Sequence, residues 1–270
     1  MAPDANGVPQ VDTRVTATAY VFRELDLMAK IARVLGRDAD ARGYEERAAF
    51  VRERFNAAFF DAERAEYVAD DGYRQTDNAL AVAFGIVPAD RRQDVVDGIA
   101  RDVEARGDHL HTGILGTAVL LEVLSDGGYG DLAHAVANQR TFPGWGHMLD
   151  NGTDTLLESW QLDARSRNHH YLGTIDRWFF EDVAGIEPDP SRPGYRHVLV
   201  HPQPGGGLTR ASAWHDSPYG RVSSSWRVHG DRFTLDVVVP VNATAGVRLP
   251  GRDRTYEVGS GRHRFEVRLD

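Results

Sequence analysis

Ile114-Leu-Gly-Thr-Ala-Val-Leu-Leu-Glu-Val-Leu124 is apolar on almost every side, and a helix with no wet face must be buried all round. Ala79 to Val87 has the same character. Arg91 to Arg106 and Tyr129 to Arg140 instead keep their apolar residues on one face. Fully buried and amphipathic helices in alternation are what a double ring demands, an inner ring shielded by an outer one, so the pattern predicts an α/α barrel. Upstream, Val21, Leu25, Met28, Ala32 and Leu35 recur at helical spacing until Gly36 stops the run. Tyr44, Ala48, Val51, Phe55 and Phe59 form a second stripe, and the two segments make an antiparallel helical hairpin. Ser166 to Ala184, with Trp178, Phe179 and Phe180, predicts a further, largely buried helix. Periodicity yields about seven helices where a closed barrel needs about a dozen. The chain is therefore expected to hold part of a barrel, with an apolar flank that drives self-association.

At Glu187-Pro-Asp-Pro-Ser-Arg-Pro-Gly194 the composition changes, and the prolines read as a short stiff linker. Beyond it the period becomes two: Phe233, Leu235, Val237 and Val239 alternate with polar neighbours, as do Val247 and Leu249, then Phe265, Val267 and Leu269. Gly230-Asp231 reads as a hairpin turn. The expected architecture is a partial (α/α)6 barrel over residues 1–186, mainly α, followed by an antiparallel β-sandwich over 187–270. A net charge of −9 in 270 residues argues against nucleic acid, and no apolar run is long enough to span a bilayer. Met1 to Asn6 carries no basic-then-apolar leader, which favours a cytoplasmic location. There is no cysteine, so disulfides and thiolate chemistry are excluded; Lys30 is the sole lysine, and Schiff-base chemistry has no other position.

The chemistry concentrates in Phe142-Pro-Gly-Trp-Gly-His-Met148, Asn151-Gly-Thr-Asp-Thr-Leu-Leu-Glu-Ser-Trp160 and Ser166-Arg-Asn-His-His170. Tryptophans stack on sugar rings, histidines bond hydroxyls and a held carboxylate activates water, which together suggest a glycoside hydrolase. Tyr73 and Gln75 precede one inner helix, His109 and His111 the next, and Trp145 to His169 the last. These loops should meet at one mouth of the barrel. Glu158 has a competing reading, since Thr155-Leu-Leu-Glu158 fits a helix capping box. His109 and His111 lack a third ligand at matching spacing, so no metal is expected. Gly205-Gly-Gly207 has no helix or lysine after it and reads as a turn between strands rather than a phosphate loop. Asn151-Gly-Thr153 and Asn242-Ala-Thr244 fit the N-glycosylation pattern, which chance supplies often.

Gln75-Thr-Asp-Asn-Ala-Leu-Ala-Val-Ala-Phe-Gly85, His109-Leu-His-Thr-Gly-Ile-Leu-Gly-Thr117, Gly128-Tyr-Gly-Asp131, Gly152 to Trp160, Val183-Ala-Gly-Ile186, Pro202-Gln-Pro-Gly-Gly-Gly-Leu208 and Ser217-Pro-Tyr-Gly220 go further. With them the chain resembles the C-terminal half of bacterial α-L-rhamnosidases, inverting glycoside hydrolases, from about Thr16 onward. The resemblance implies an (α/α)6 barrel followed by a β-sandwich. It implies that Glu158 is the general base and that Trp145 and His169 hold the sugar; Trp160 and His109 are expected to bind the substrate with them, and the chemistry needs no cofactor. The expected partner is a rhamnose-containing glycoside. Leu157 stands where the family has tryptophan, and the loop between Glu158 and Asn168 is shorter than in many members. The family's acidic, arginine-bearing general-acid motif has no counterpart; Asp4, Asp12 and Glu24 are carboxylates outside that context. The chain alone is accordingly expected to be inactive. Two alternatives stand beside this reading: another inverting α/α-barrel glycosidase, and a non-catalytic carbohydrate-binding remnant.

Overall fold

The structure is a computed structural model that describes residues 12–269, so Asp4 lies outside the described residues. The chain opens with a helical hairpin, α1 (Arg14–Val34) and α2 (Asp38–Phe59). The buried line of α1 is Val15, Ala19, Phe22, Ala29 and Ala32. Of the stripe expected from sequence, Val21, Met28 and Leu35 are instead exposed, and Ile31 and Val34 join them. The helix carries two apolar lines and packs only one; a period near seven cannot say which of the two faces inward. A small antiparallel sheet follows that the periodicity did not announce: β1 (Phe60–Asp61), β2 (Glu66–Ala69) and β3 (Gly72–Tyr73).

Next come α3 (Gln75–Ala83), a 3₁₀ turn at Ala89–Arg91 leading into α4 (Arg92–Ala105), α5 (Ile114–Asp126), α6 (Gly130–Ala137) and a short α7 (Trp145–Asp150). As their composition demands, α3 and α5 are buried over most of their surface, while α4 turns only Val95, Val96, Ile99, Ala100 and Val103 inward. The first turn of α3 is polar and buried. Gln75 Nε2 donates to Asp102 Oδ2 of α4 at 2.8 Å, and its Oε1 accepts from the His111 amide at 2.6 Å. Asp77 accepts from the Thr16 hydroxyl of α1 at 2.8 Å and lies 3.0 Å from Arg74 Nε. Asn78 pairs with the main chain of Tyr67 in β2, accepting at 2.7 Å and donating at 3.0 Å.

The single helix expected over Ser166–Ala184 is a correction. Residues 166–169 have no regular secondary structure, and the winding then runs through a 3₁₀ turn (His170–Thr174), α8 (Ile175–Trp178) and a π turn (Phe179–Val183). Main-chain bonds from Glu158 to Ser166 (3.1 Å) and from His169 to Leu156 (2.8 Å) hold the first four residues out of the helix.

The remaining strands are β4 (Ile186–Pro188), β5 (His197–Val200), β6 (Arg210–Ser217), β7 (Gly220–His229), β8 (Arg232–Val239), β9 (Thr244–Arg248), β10 (Thr255–Val258) and β11 (Gly261–Arg268). They form two four-stranded sheets, ordered β10-β9-β5-β4 and β11-β8-β7-β6. Phe233, Leu235, Val237 and Val239 point inward, and Gly230-Asp231 joins β7 to β8 as expected. The pairings are antiparallel apart from β5 with β9. Glu187 and Pro188, read as linker, are strand residues opposite Leu199 and Val198.

The helical part ends directly on these sheets. A helix C-terminus leaves its last carbonyls without partners, and here consecutive ones are met from the strands and the loops joining them. Asp182 O accepts from the Gln203 amide (2.8 Å), Val183 O from Trp226 Nε1 (2.7 Å), Ala184 O from Ser224 Oγ (2.7 Å) and Gly185 O from the His201 amide (2.9 Å). Gly185 has φ +77°, and a Cβ there would stand 2.1 Å from Pro202 N, so only glycine fits. Carboxyls gather at the same junction. Burial, with Glu181 and Asp126 nearby, pushes Glu122 up to about 7 despite Arg177 Nε at 3.0 Å. Burial and Asp126 push Asp182 up to about 8 and Glu187 to about 7.

Ser224→Ala leaves the Ala184 carbonyl buried without a donor, and urea unfolding should show a loss of about 1–3 kcal/mol. Gly185→Ala should cost more than Ser224→Ala in the same assay. The junction also sets a pH dependence. Carboxyls raised in the folded chain hold protons that the unfolded chain releases, so their contribution to stability falls as pH rises toward 8. His201, pushed down to about 4 by burial and Arg248, acts in the opposite sense but only below its ordinary 6.5. The melting temperature should therefore drop between pH 6.5 and 8.5, and Asp182→Asn should flatten that drop; an unchanged slope in the variant would count against the assignment.

Candidate active site

Residues 151–169, between α7 and the 3₁₀ turn, have no regular secondary structure, yet they are held firmly. Thr155 Oγ1 donates to Arg167 O, and the main-chain bonds at Leu156 and Glu158 add two rungs, so the segment folds back on itself. Leu157 is fully buried and anchors one side. Trp160 is buried on the other, its Nε1 donating to Thr112 O at 2.9 Å. Glu158 lies between these two anchors with about a quarter of its side chain open to solvent. No helix begins at Thr155, so the capping-box alternative is removed. Among the described residues the charged group nearest the carboxylate is Arg165, itself almost wholly exposed, at 4.0 Å. The Trp160 N–H is spent on Thr112 and is not available to Glu158.

Trp145 starts α7, because Gly144 and Gly146 let this turn lie against Gln139 and Arg140; a Cβ on Gly146 would be 2.6 Å from Gln139 O. Its Nε1 donates to Leu172 O at 2.9 Å, and its ring meets that of Trp160 edge-on, centroids 5.0 Å apart at 90°. Both rings are 7% exposed. Neither lies open as a platform, although Trp145 forms part of the wall of a cavity of about 370 Å³, with Met148, Leu156, Ile175 and Phe179. Asp154 and Thr155 bring polar groups to that cavity, and Glu158 is not in its lining. His169 stacks on His170 (5.2 Å, 11°) and lies 4.2 Å from the Tyr171 ring, half-buried beside the rungs that hold Glu158.

His109 has a structural task. Nδ1 reaches Arg106 O (3.0 Å) and Gly107 O (2.8 Å), which makes it the donor, and Nε2 lies 2.7 Å from Thr141 Oγ1. The ring staples the loop before α5 to the loop before α7. The three inner-helix loops do meet, through Gln75 to His111, His109 to Thr141, and Trp160 to Thr112. Gln75 and Thr112 carry that convergence, and spacing alone gave Thr112 no signal. Of the N-terminal carboxylates, Asp12 is tied to Arg14 at 2.9 Å, which holds it far below the usual carboxylate range, and Glu24 is exposed on α1. Tyr73 Oη, beside the same loops, is buried without a partner, and burial with Asp102 nearby raises its pKa.

Helical hairpins of alternating burial, a carboxylate on a pinned loop where their connections meet, and a closing pair of β-sheets make up the arrangement. Residues 1–183 match the bacterial α-L-rhamnosidase 6-hairpin glycosidase domain and residues 185–264 the bacterial α-L-rhamnosidase C-terminal domain. The chain belongs to the bacterial α-L-rhamnosidase family. It is 36% identical to an α-L-rhamnosidase of Streptomyces avermitilis over 94% of its own length and 26% of that protein, and 33% identical to one of Formosa agariphila over 91% and 27%. The chain thus spans about a quarter of the length of these curated relatives. Among solved structures, the S. avermitilis α-L-rhamnosidase complexed with L-rhamnose superposes with a TM-score of 0.83 at 35% identity, over 94% of this chain and 27% of that one. The native α-L-rhamnosidase of Aspergillus terreus gives 0.90 at 28%, over 99% and 32%.

Proposed function

We propose that this chain supplies the general-base side of a site that hydrolyses terminal α-L-rhamnosides with inversion. The observation that carries the reading is Glu158: a carboxylate about a quarter open to solvent on a loop fixed by Leu157, Trp160 and two main-chain rungs, its side chain accepting no hydrogen bond among the described residues. An inverting site needs a carboxylate that stays ionised and takes a proton from water, opposite an acid that protonates the leaving oxygen. Glu158 is given the first part, and no residue of this chain is given the second. The rhamnose complex of the S. avermitilis relative supports a rhamnose-containing glycoside as substrate. His169 is given the ring hydroxyls and Trp145 the wall beside the sugar, reached through the cavity it lines. His109 and Trp160 support that wall from behind. No cofactor is required. The units assigned are residues 1–186 as barrel and 187–270 as sandwich.

In a polypeptide that also carries the preceding barrel half, Glu158→Gln should lower kcat by about two to four orders of magnitude with the melting temperature nearly unchanged. Azide should partly restore turnover of an activated substrate in that variant by giving a β-rhamnosyl azide. Near-normal turnover without azide would remove Glu158 from the mechanism. The 270-residue chain by itself should turn over an aryl α-L-rhamnoside poorly or not at all. The open apolar line of α1, Val21, Met28, Ile31, Val34 and Leu35, should also make it self-associate. Light scattering tests this, Met28→Glu/Ile31→Glu should restore a monomer, and a monomeric wild-type chain would contradict it.

A further inference from the structure

The sheet β11-β8-β7-β6 has one face against the core and one open, and along β6 and β7 the open face carries an ordered series of cross-strand pairs. Arg210 stands opposite Arg227, Ser212 opposite Ser225, Trp214 opposite Ser223 and Asp216 opposite Arg221. Side chains directly opposite on one face lie within contact of each other, and like charges so placed cost stability. Among the described residues no carboxylate offsets this pair. Asp216 is taken by Arg221 (2.8 and 3.0 Å), Asp236 by Arg264 (3.6 Å) and Glu266 by Arg232 (2.9 Å), whereas Arg210 and Arg227 pair with no carboxylate among the described residues. A depression of about 450 Å³ lies between them, lined also by Ser212 and Ser225. One step along, Trp214 is 54% exposed, and the Arg221 guanidinium covers one side of its ring at 3.9 Å from the centroid. From Arg210 to Asp216 the series runs roughly 20 Å, the reach of a short oligosaccharide.

We infer that this ribbon binds an acidic oligosaccharide. A sugar carboxylate sits between Arg210 and Arg227, whose planar forks match its two oxygens. Ser212, Ser225 and Ser223 bond ring hydroxyls, and the neighbouring sugar packs on the open part of Trp214. A peptide carboxylate would satisfy the arginines equally, but it has no use for paired hydroxyls leading to an indole. The overall charge of −9 repels polyanions in general, so the attraction is local to this face. None of these residues belongs to the Glu158 site, and the inference stands whatever Glu158 does.

Titration calorimetry on the 270-residue chain tests it, with oligogalacturonate as probe and maltohexaose, inorganic sulfate and poly-glutamate as comparisons. Oligogalacturonate should bind at least about tenfold more tightly than any of the three, and binding should weaken as salt is raised. Arg210→Ala/Arg227→Ala should weaken it about tenfold or more, and Trp214→Ala should weaken it with the salt dependence kept. Arg227→Glu should abolish binding while preserving or raising the melting temperature, because it pairs with Arg210; this separates lost recognition from lost fold. Glu158→Gln should leave the affinity unchanged. Equal affinity for poly-glutamate or sulfate, or unaltered binding in the double arginine variant, would overturn the inference.

Discussion

The constraint on which the helical part depends is the buried polar first turn of α3. Gln75, Asp77 and Asn78 are each almost inaccessible to water, and burying such groups is unfavourable unless every one finds partners. Each is tied to a different neighbour: Gln75 to α4 and the loop before α5, Asp77 to α1 through one oxygen while the other has only the Arg74 guanidinium beside it, Asn78 to the main chain of β2. Apolar packing alone would let the hairpins slide past one another with little penalty. Directional bonds from one turn to four neighbours fix their relative heights, and with them the loops around Glu158.

Much of the fold was legible because burial leaves a simple trace. Helices wet on one side and helices wet on none differ in composition, and Ile114 to Leu124 could hardly be anything but enclosed. β8, β10 and β11 alternate because one face meets the core, whereas β9 is buried on both faces at Ala245, Gly246 and Val247. What was not legible depended on partners far along the chain. The helix expected from Ser166 does not begin there, because Ser166 O and the His169 amide are spent on Glu158 and Leu156. Pro188 resembles linker until the opposing Val198 is known. Val21, Met28 and Leu35 keep helical spacing on a face that nothing described covers.

The candidate site divides along the same lines. Glu158, Trp145, Trp160 and His169 stood out as a local cluster, and Trp145 with Trp160 do touch. Composition could not show that both indoles spend their N–H groups on carbonyls and their rings on each other, or that His109 is a staple between loops. The capping box failed for a physical reason: the Thr155 hydroxyl and the Glu158 amide are spent on the carbonyls of Arg167 and Ser166, so neither is left to start a helix.

The meeting of helix and sheet has a consequence for how such proteins diverge. Two of its four donors, at positions 201 and 203, are main-chain amides, indifferent to which side chain they carry. The other two, Ser224 and Trp226, are likewise two residues apart, on one face of a strand. Substitution at the first pair by anything but proline leaves the donors that the carbonyls meet in place, whereas a single inserted residue in either stretch would turn the donors away. What this joint hands down from ancestor to descendant is an interval rather than a string of letters. The two parts should therefore travel through evolution together, even as the residues between them drift.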